Sequence, residues 1–165
     1  MNGAEIKINN FGLSNKKEDL TFYFHKEGSV NASAALMNDE RENIEVKCQV
    51  DTLDNYFKEH KLQDLDFIKC DVEGAELFAF QGGMETIEKY KPIVFTEMLR
   101  KWSAKFNYHP NEIISLFQKI GYTCYYVVDN KLQEIKIMTD DTIETNFFFL
   151  HAIKHEEYIQ ELLHD

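Results

Sequence analysis

Residues 66–76, D-F-I-K-C-D-V-E-G-A-E, are the most informative part of this chain. Its first half is apolar and β-prone, and its second half brings carboxylates and a glycine where a strand has to end. A second apolar run, residues 93–98, contains Glu97 near its end and is typical of a strand covered on both faces. Between the two runs, residues 77–87 have apolar side chains at helical spacing, interrupted at Gly82. The order strand, helix, strand predicts a parallel pair in an α/β sheet.

The remaining segments extend this pattern in both directions along the chain. We predict strands at 4–11, 20–24, 44–50 and 146–153, a loop at 25–43, a short helix opened by residues 52–54, a helix at 110–121, a hairpin at 122–135 and a short final helix at 154–165. The helices alternate with strands up to Gly121, and a hairpin follows. We therefore predict one α/β domain, residues 1–165, with a mostly parallel sheet that ends in an antiparallel edge hairpin.

Composition and charge exclude several classes of protein. With 44% hydrophobic residues, seven Gly and two Pro in 165 residues, the chain has the make-up of a packed globular protein. Its net charge of -11 repels phosphate backbones and anionic lipid headgroups, so we expect neither nucleic acid nor membrane as a partner. Three scattered cysteines without a C-x-x-C, and no signal-like or long apolar segment, indicate a cytoplasmic protein.

Acidic residues follow both predicted central strands. Ligands of open parallel sheets bind beyond the carboxyl ends of the strands, so Asp71, Glu73, Glu76 and Glu97 are expected to share one site. Such a cluster can fix an amine or sulfonium, take a proton from a hydroxyl, or bind a divalent metal. Alternatively, Glu73 and Glu76 only occupy the first helical turn, where the helix dipole favours acids. Lys69 points to the same face as Asp71 and is expected to be a partner for Asp71 and the other acids of this group.

The same stretch resembles the signature of the FkbM family of methyltransferases, in which a strand ends in K-x-D-V-E-G-x-E. The flanking elements are similar to the family as well and occur in the family's order: T-L-D at 52–54, the glycine after the helix at 81–83, K-P-x-x-x-x-E at 91–97 and the G-Y helix ending at 120–122. Upstream, residues 8–14 are similar to the family's third strand and its exit loop. The resemblance is strongest over residues 50–122.

This resemblance implies a Rossmann-like class I methyltransferase sheet and transfer of a methyl group from S-adenosylmethionine. The implied acceptor is a hydroxyl of a sugar, lipid or small metabolite, which would make a small molecule the partner. The resemblance places Asp71 beside the reacting centre, in contact with the cofactor, with Glu73, Glu76 and Glu97 as an acidic rim and Gly12 and Leu13 next to the adenine. We accordingly predict catalytic roles for Asp71, Glu73 and Glu97.

Aromatic residues after Glu97 are candidates for the acceptor pocket. Trp102, Phe106 and Tyr108 either line such a pocket or cover the core, as aromatics in connecting segments often do. We predict that Trp102 and Tyr108 contact the acceptor together with Glu76.

The chain also departs from the family pattern. It has neither the D-x-G-A-x-x-G loop nor the E-P element with which such proteins open, which is about 60 residues at the usual size of βαβ units. We therefore expect a truncated domain that binds the cofactor weakly on its own. The strand before Asp71 is then expected to have an unpaired edge, filled either by residues 4–11 or by a second copy in a homodimer.

Two other functions stay open at this point. The α/β core can serve as a noncatalytic interaction module, or Asp71 and Glu97 can be oxygen ligands of a metal-dependent enzyme. His151 and His155 are spaced i, i+4, but His151 belongs to a predicted strand. We interpret both as surface histidines and predict no metal site there.

Overall fold

A computed structural model describes residues 5–25 and 43–164 of this chain. Its first part is a three-stranded sheet in the order β1-β3-β2, made of β1 (Gly12–Leu13), β2 (Glu18–His25) and β3 (Asn43–Asp51). β1 is parallel to β3, and β2 is antiparallel to it. The strands predicted at 20–24 and 44–50 are confirmed. The loop predicted at 25–43 lies outside the described residues, except that its two end residues belong to β2 and β3.

The strand predicted at 4–11 is wrong over its described part, residues 5–11. These residues form no strand, and β1 begins only at Gly12. Ile6 and Ile8 are 84% and 90% exposed, so their alternation with polar residues does not reflect a buried face. Apolar alternation indicates a strand only where a neighbouring strand supplies hydrogen bonds, and none does so here.

The second part of the chain builds a five-stranded sheet with helices. Its elements are α1 (Leu53–His60), β4 (Phe67–Cys70), α2 (Glu76–Gln81), α3 (Met84–Tyr90), β5 (Ile93–Glu97), α4 (Arg100–Ser103), a 3₁₀ turn (Ala104–Phe106), α5 (Asn111–Gln118), β6 (Tyr122–Val128), β7 (Lys131–Glu134), β8 (Asn146–His151) and α6 (Glu156–His164). The strand order is β4-β5-β8-β6-β7. The helices, the central strands and the edge hairpin are therefore confirmed, with small shifts at their ends.

The fold is α/β with mixed sheets, which corrects the prediction of a mostly parallel sheet. In the five-stranded sheet only β4 and β5 are paired in parallel. β8 lies between β5 and β6 and is antiparallel to both, and β7 is antiparallel to β6. The β6–β7 turn is too short for a crossover, since Asp129 and Asn130 join the strands with φ of 51° and 62°. β4, β5 and β6 nevertheless run in one direction, so their carboxyl ends lie at one edge.

The core lies between this sheet and its helices. α5 buries one apolar face completely, with Ile113, Ile114 and Phe117 each at most 1% exposed. Phe117 stacks on Phe149 of β8, with ring centroids 4.4 Å apart, and meets Phe80 of α2 edge-on. Each of these side chains contributes about 1.5–3 kcal/mol by leaving water. This packing fixes α2 and α5 against the sheet and so fixes the loops that follow β4 and β5.

The T-L-D element at 52–54 connects α1 to α3 through hydrogen bonds. Thr52 caps α1 by accepting a hydrogen bond from the Asn55 amide at 3.0 Å. The Asp54 carboxylate reaches further and accepts hydrogen bonds from the Thr86 amide at 2.8 Å and the Glu85 amide at 3.3 Å, in the first turn of α3. The helix dipole favours a carboxylate at that position. The element therefore joins the end of the three-stranded sheet to the helices that cover the second sheet.

β4 has one free edge among the described residues. It pairs with β5 alone, and Phe67 at its start is 51% exposed. Residues 5–11 do not fill that edge, so the first of the two options predicted for it is wrong. The homodimer across β4 stays a prediction.

Candidate functional site

The predicted acidic residues meet at the carboxyl edge of β4 and β5. Cys70 is in register with Thr96, and the next residues along the two strands are Asp71 and Glu97. Glu97 is in turn paired with Asn146, the first residue of β8. The parallel register therefore brings the two carboxylates to the same edge of the sheet, as expected from the sequence. We call Asp71, Glu73 and Glu97 the acidic cluster.

A tight turn after β4 presents Glu73 at this edge. The Ala75 amide donates a hydrogen bond to the Val72 carbonyl at 3.3 Å, and the two residues between them have positive φ, 54° for Glu73 and 103° for Gly74. A Cβ on Gly74 would lie 2.6 Å from the carbonyl oxygen of Trp102. Only glycine fits at this position, because the conformation and the close neighbour both exclude a side chain. A non-glycine residue in the left-handed region, as at Glu73, is uncommon and often marks a functional turn.

Glu76 holds this turn from inside the protein. Its side chain is 3% exposed, and Oε1 accepts hydrogen bonds from the amides of Val72 at 3.0 Å and Gly74 at 3.2 Å. Oε2 accepts a hydrogen bond from the Tyr108 hydroxyl at 3.3 Å. A buried carboxylate needs such donors to be stable. Both Glu76 and Tyr108 thus have partners in the interior, and their predicted contact with an acceptor stays a prediction.

Burial and repulsion by neighbouring carboxylates raise the pKa of Glu97. Burial is the largest cause, and the negative charges of Asp71, Glu73 and Glu76 add to it, while Lys69 opposes them. The Lys69 ammonium lies 2.9 Å from Oδ2 of Asp71, which confirms the predicted pairing of these two residues. The cluster therefore holds more negative charge than its one paired lysine neutralises.

The pKa of Glu73 is raised in the same way. Burial again comes first, followed by the charges of Asp71 and Glu76. Lys101 and Lys105 lower it, which places their ammonium groups near Glu73. Neither lysine was among the residues predicted from the sequence. Their i, i+4 spacing around Trp102 was the available signal, because that spacing puts two side chains on one face of a helix.

The segment α4 and its 3₁₀ turn cover the β4–α2 turn. The Trp102 carbonyl and the Phe106 ring both pack against Gly74. The Phe106 ring also meets the Phe78 ring, with centroids 6.0 Å apart. Tyr108 also meets Phe78 edge-on, at 6.1 Å. Burial raises the pKa of the Tyr108 hydroxyl, and the charge of Glu76 raises it further. The structure thus brings Trp102 and Tyr108 to the acidic edge, and Phe106 and Tyr108 there cover the core.

Gly12 and Leu13, the predicted adenine contacts, lie in the other sheet. They form β1, and Leu13 is 41% exposed. Ser14, the next residue, packs closely on Gly82 at the end of α2. A side chain on Gly82 would collide with the carbonyl oxygen of Ser14. No hydrogen bond among the described residues joins β1 to the acidic cluster. Their role at a cofactor stays a prediction.

A cavity of about 460 Å³ lies beside β1 and not at the acidic cluster. Lys17, Asp51 and Tyr56 are among its lining residues. The pKa of Asp51 is lowered to about 2 by hydrogen bonds from Lys17 and Asn55. The Lys17–Asp51 ion pair, at 2.7 Å, is therefore a local feature of the three-stranded sheet. The acidic cluster, in contrast, lies at the edge of the five-stranded sheet and does not line this cavity.

The interpretation of His151 and His155 as surface residues is wrong. They are only 5% and 4% exposed. Nδ1 of His155 accepts a hydrogen bond from the His151 amide at 2.9 Å, and Nδ1 of His151 accepts from the amides of Ile153 and Lys154, both at 3.2 Å. These bonds form the bend between β8 and α6. Among the described residues no group of three or more His, Cys, Asp or Glu side chains is arranged to hold a metal ion, so the metal-dependent alternative gains no support.

The comparisons with known proteins agree with the motifs at this edge. The protein is an α/β protein with carboxylates beyond two parallel strands. The family model of the methyltransferase FkbM domain matches residues 2–124. The chain belongs to the FkbM methyltransferase family. β7, β8 and α6 lie beyond the matched residues. No curated protein and no solved structure matches the chain.

The lengths of the helices and the state of the cysteines are two further properties of the described residues. No helix within residues 5–25 and 43–164 is both long and apolar enough to cross a membrane. Cys48, Cys70 and Cys124 are all free thiols, and burial raises the pKa of Cys70 and Cys124.

Proposed function

We propose that this chain is a methyltransferase that uses S-adenosylmethionine to methylate a hydroxyl group of a small molecule, at the acidic cluster. The observation that carries the proposal is the gathering of Asp71, Glu73 and Glu97 at one edge, where burial, together with the charges of neighbouring carboxylates, raises the pKa of Glu73 and Glu97. Membership in the family supplies the reaction class. The sulfonium cofactor and the hydroxyl acceptor are the proposed part, because a fold alone does not specify a substrate.

The residues present fit the charged end of this cofactor. A positive charge near the cluster would relieve the repulsion among its carboxylates, and S-adenosylmethionine carries a sulfonium and an amino group. When bound, it supplies an activated methyl group. Asp71 is the proposed contact for this cationic end, since Lys69 fixes its carboxylate at 2.9 Å. Gly12 and Leu13 remain the proposed adenine contacts.

The raised pKa values make Glu73 and Glu97 suitable general bases. A base with a pKa nearer to the working pH takes a proton more effectively from an acceptor hydroxyl. Methyl transfer is an in-line displacement, so alignment by Asp71 supplies much of the rate and removal of the hydroxyl proton supplies the rest. We assign alignment to Asp71 and proton removal to Glu73 or Glu97.

The acceptor is proposed to bind beside Trp102. This side chain is partly exposed and its segment covers the turn that presents Glu73. Glu76 and Tyr108 bond to each other in the interior, so we assign them a positioning role through the β4–α2 turn. A cytoplasmic location is part of the proposal and is supported by the three free thiols.

The free edge of β4 favours a second candidate function, an interaction module. An unpaired strand edge with Phe67 half-exposed can add a strand from a second copy of this chain. This candidate requires neither cofactor nor acceptor. The two functions therefore differ in one measurable property, methyl transfer.

The test is transfer of a labelled methyl group by the whole chain to a panel of hydroxylated small molecules. The cofactor is used well above micromolar concentration, because weak binding is predicted. Asp71→Asn is expected to lower the rate about 100-fold or more, the scale of losing correct alignment of the reacting groups. Asp64→Asn is the matched control, because Asp64 is exposed and makes no side-chain hydrogen bond with any other described residue.

Each outcome decides between the readings. If Asp71→Asn folds and keeps the parent rate while Glu97→Gln abolishes it, the site is centred on β5 and our assignment is wrong. If the folded parent chain transfers no methyl group to any acceptor and forms dimers, the interaction module replaces the enzyme.

A further inference from the structure

Basic side chains lie on the surface next to the acidic cluster, and two of them form no ion pair with a described residue. Arg100, Lys101 and Lys105 fall within six residues of a chain whose net charge is -11. Lys101 and Lys105, which we call the lysine pair, are exposed and form no ion pair with any carboxylate of the described residues. Arg100 donates from Nη2 to the Asp140 carbonyl at 3.1 Å, but its buried Nη1 has no partner there. Within the described part of the chain, the two lysine ammonium groups are thus available to a ligand, whereas Arg100 is engaged with Asp140.

Trp102 holds the lysine pair in one place. The Lys105 ammonium lies 3.8 Å from the centroid of the indole ring and the Lys101 ammonium lies 5.5 Å from it. The negative face of an aromatic ring attracts ammonium groups and limits their motion. Two like charges near one ring also repel each other, and an anion close to both would weaken that repulsion.

The lysine pair is carried by the segment that covers the turn presenting Glu73. Trp102 touches Gly74 through its carbonyl, and Gly74 is the residue after Glu73. Both ammonium groups lower the pKa of Glu73, against the larger effects of burial and of the charges of Asp71 and Glu76. A small molecule with a hydroxyl at Glu73 can therefore extend another group to the lysine pair.

We propose that the lysine pair on Trp102 is a subsite for an anionic group of the methyl acceptor, a phosphate or a carboxylate. The acceptor class is then an anionic hydroxylated molecule such as a sugar phosphate or a sugar acid. This inference rests on the proposed function for the identity of the ligand as an acceptor. It does not need methyl transfer in order to be tested, since binding alone reports on it.

The structure offers a direct probe, because Trp102 is the only tryptophan of the chain. Its fluorescence is measured while the whole chain is titrated with glucose 6-phosphate, glucuronate or glucose. We expect a saturable change with one or both anions, none with glucose, and weakening by added salt. The first two arms distinguish phosphate from carboxylate.

Variants then assign the binding to the lysine pair. Lys101→Gln with Lys105→Gln is expected to weaken anion binding at least about fivefold, the scale of losing two exposed charge contacts. Lys58→Gln with Lys119→Gln makes the same change of charge at two exposed lysines elsewhere and is expected to bind as the parent does.

The subsite is refuted if glucose changes the fluorescence as much as the anions do, or if both double variants lose binding equally. If the anion binds through the lysine pair but no acceptor is methylated, the subsite stands and the proposed function fails. If neutral glucose is methylated as fast as glucose 6-phosphate, the function stands and the subsite is wrong.

Discussion

Replacing Glu76 with alanine removes the carboxylate that holds the β4–α2 turn. The amide of Gly74 and the hydroxyl of Tyr108 then lose their acceptor in a buried setting, and the amide of Val72 loses it at a half-exposed position. Each buried donor left without a partner costs about 1–3 kcal/mol. Water can reach Val72, which is 40% exposed, so its amide adds little. We expect Glu76→Ala to lower the free energy of unfolding by about 3–5 kcal/mol.

Glu76→Gln separates the hydrogen bonds from the charge. The amide oxygen of glutamine can still accept from Val72 and Gly74, so the turn keeps its main support. The loss of charge weakens these bonds, but it also relieves the repulsion with Glu73 and Glu97, whose pKa values Glu76 helps to raise. The two effects oppose each other, so Glu76→Gln is expected to cost about 1 kcal/mol or less.

The measurement is urea unfolding followed by far-ultraviolet circular dichroism, with the midpoint and slope compared among variants. Glu88→Ala is the control, because Glu88 is an exposed residue of α3 whose side chain forms no hydrogen bond within residues 5–25 and 43–164. It is expected to change stability by about 0.5 kcal/mol at most. Equal midpoints for Glu76→Ala and Glu88→Ala would show that Glu76 does not hold the turn, and direct contact with an acceptor would become its better assignment.

Two further predictions concern the same turn. Gly74→Ala is expected to cost about 2–5 kcal/mol, because the new Cβ would lie 2.6 Å from the Trp102 carbonyl oxygen at a positive φ; an unchanged urea midpoint would contradict this. Glu73→Gln is expected to lower the pKa of Glu97 in a carbon-13 NMR titration, because it removes one of the charges that raise it. Glu73 and Glu97 each have a pKa in the folded protein above the ordinary 4.5. Their contribution to the free energy of unfolding is therefore complete below pH 4.5 and is lost as the pH rises through the folded-state pKa. Glu73→Gln should therefore flatten that decline, and an unchanged pH dependence would refute the coupling.

The sequence was sufficient to predict the local structure around residues 66–76. A β-prone run followed by glycine and acids determines where β4 ends, and the parallel pairing with β5 follows from the intervening helices. Those two facts place Asp71 and Glu97 at one edge. The predicted pairing of Lys69 with Asp71 needed only the two-residue period of a strand.

The features that were missed depend on contacts between distant residues. Glu76 is buried because Tyr108, 32 residues further on, donates to it, and nothing in its local pattern shows that. His151 and His155 are buried because they accept backbone amides at a bend, which composition does not reveal. The position of β8 between β5 and β6 likewise follows from its strongly apolar residues meeting both neighbours, and strand order is not written in periodicity.

The central place of β8 has a consequence for synthesis of the protein in the cell. β8 is the last strand of the five to leave the ribosome, yet it joins β5 to β6 and adds Phe147 and Phe149, both 0% exposed, to the core. A nascent chain that stops before Asn146 carries two unpaired apolar strand edges, the kind of surface at which chains aggregate. Glu97 also gains its cross-strand neighbour only when Asn146 arrives. The acidic edge is therefore completed only after β8 has been synthesised, and until then β5 and β6 each keep an unpaired apolar edge.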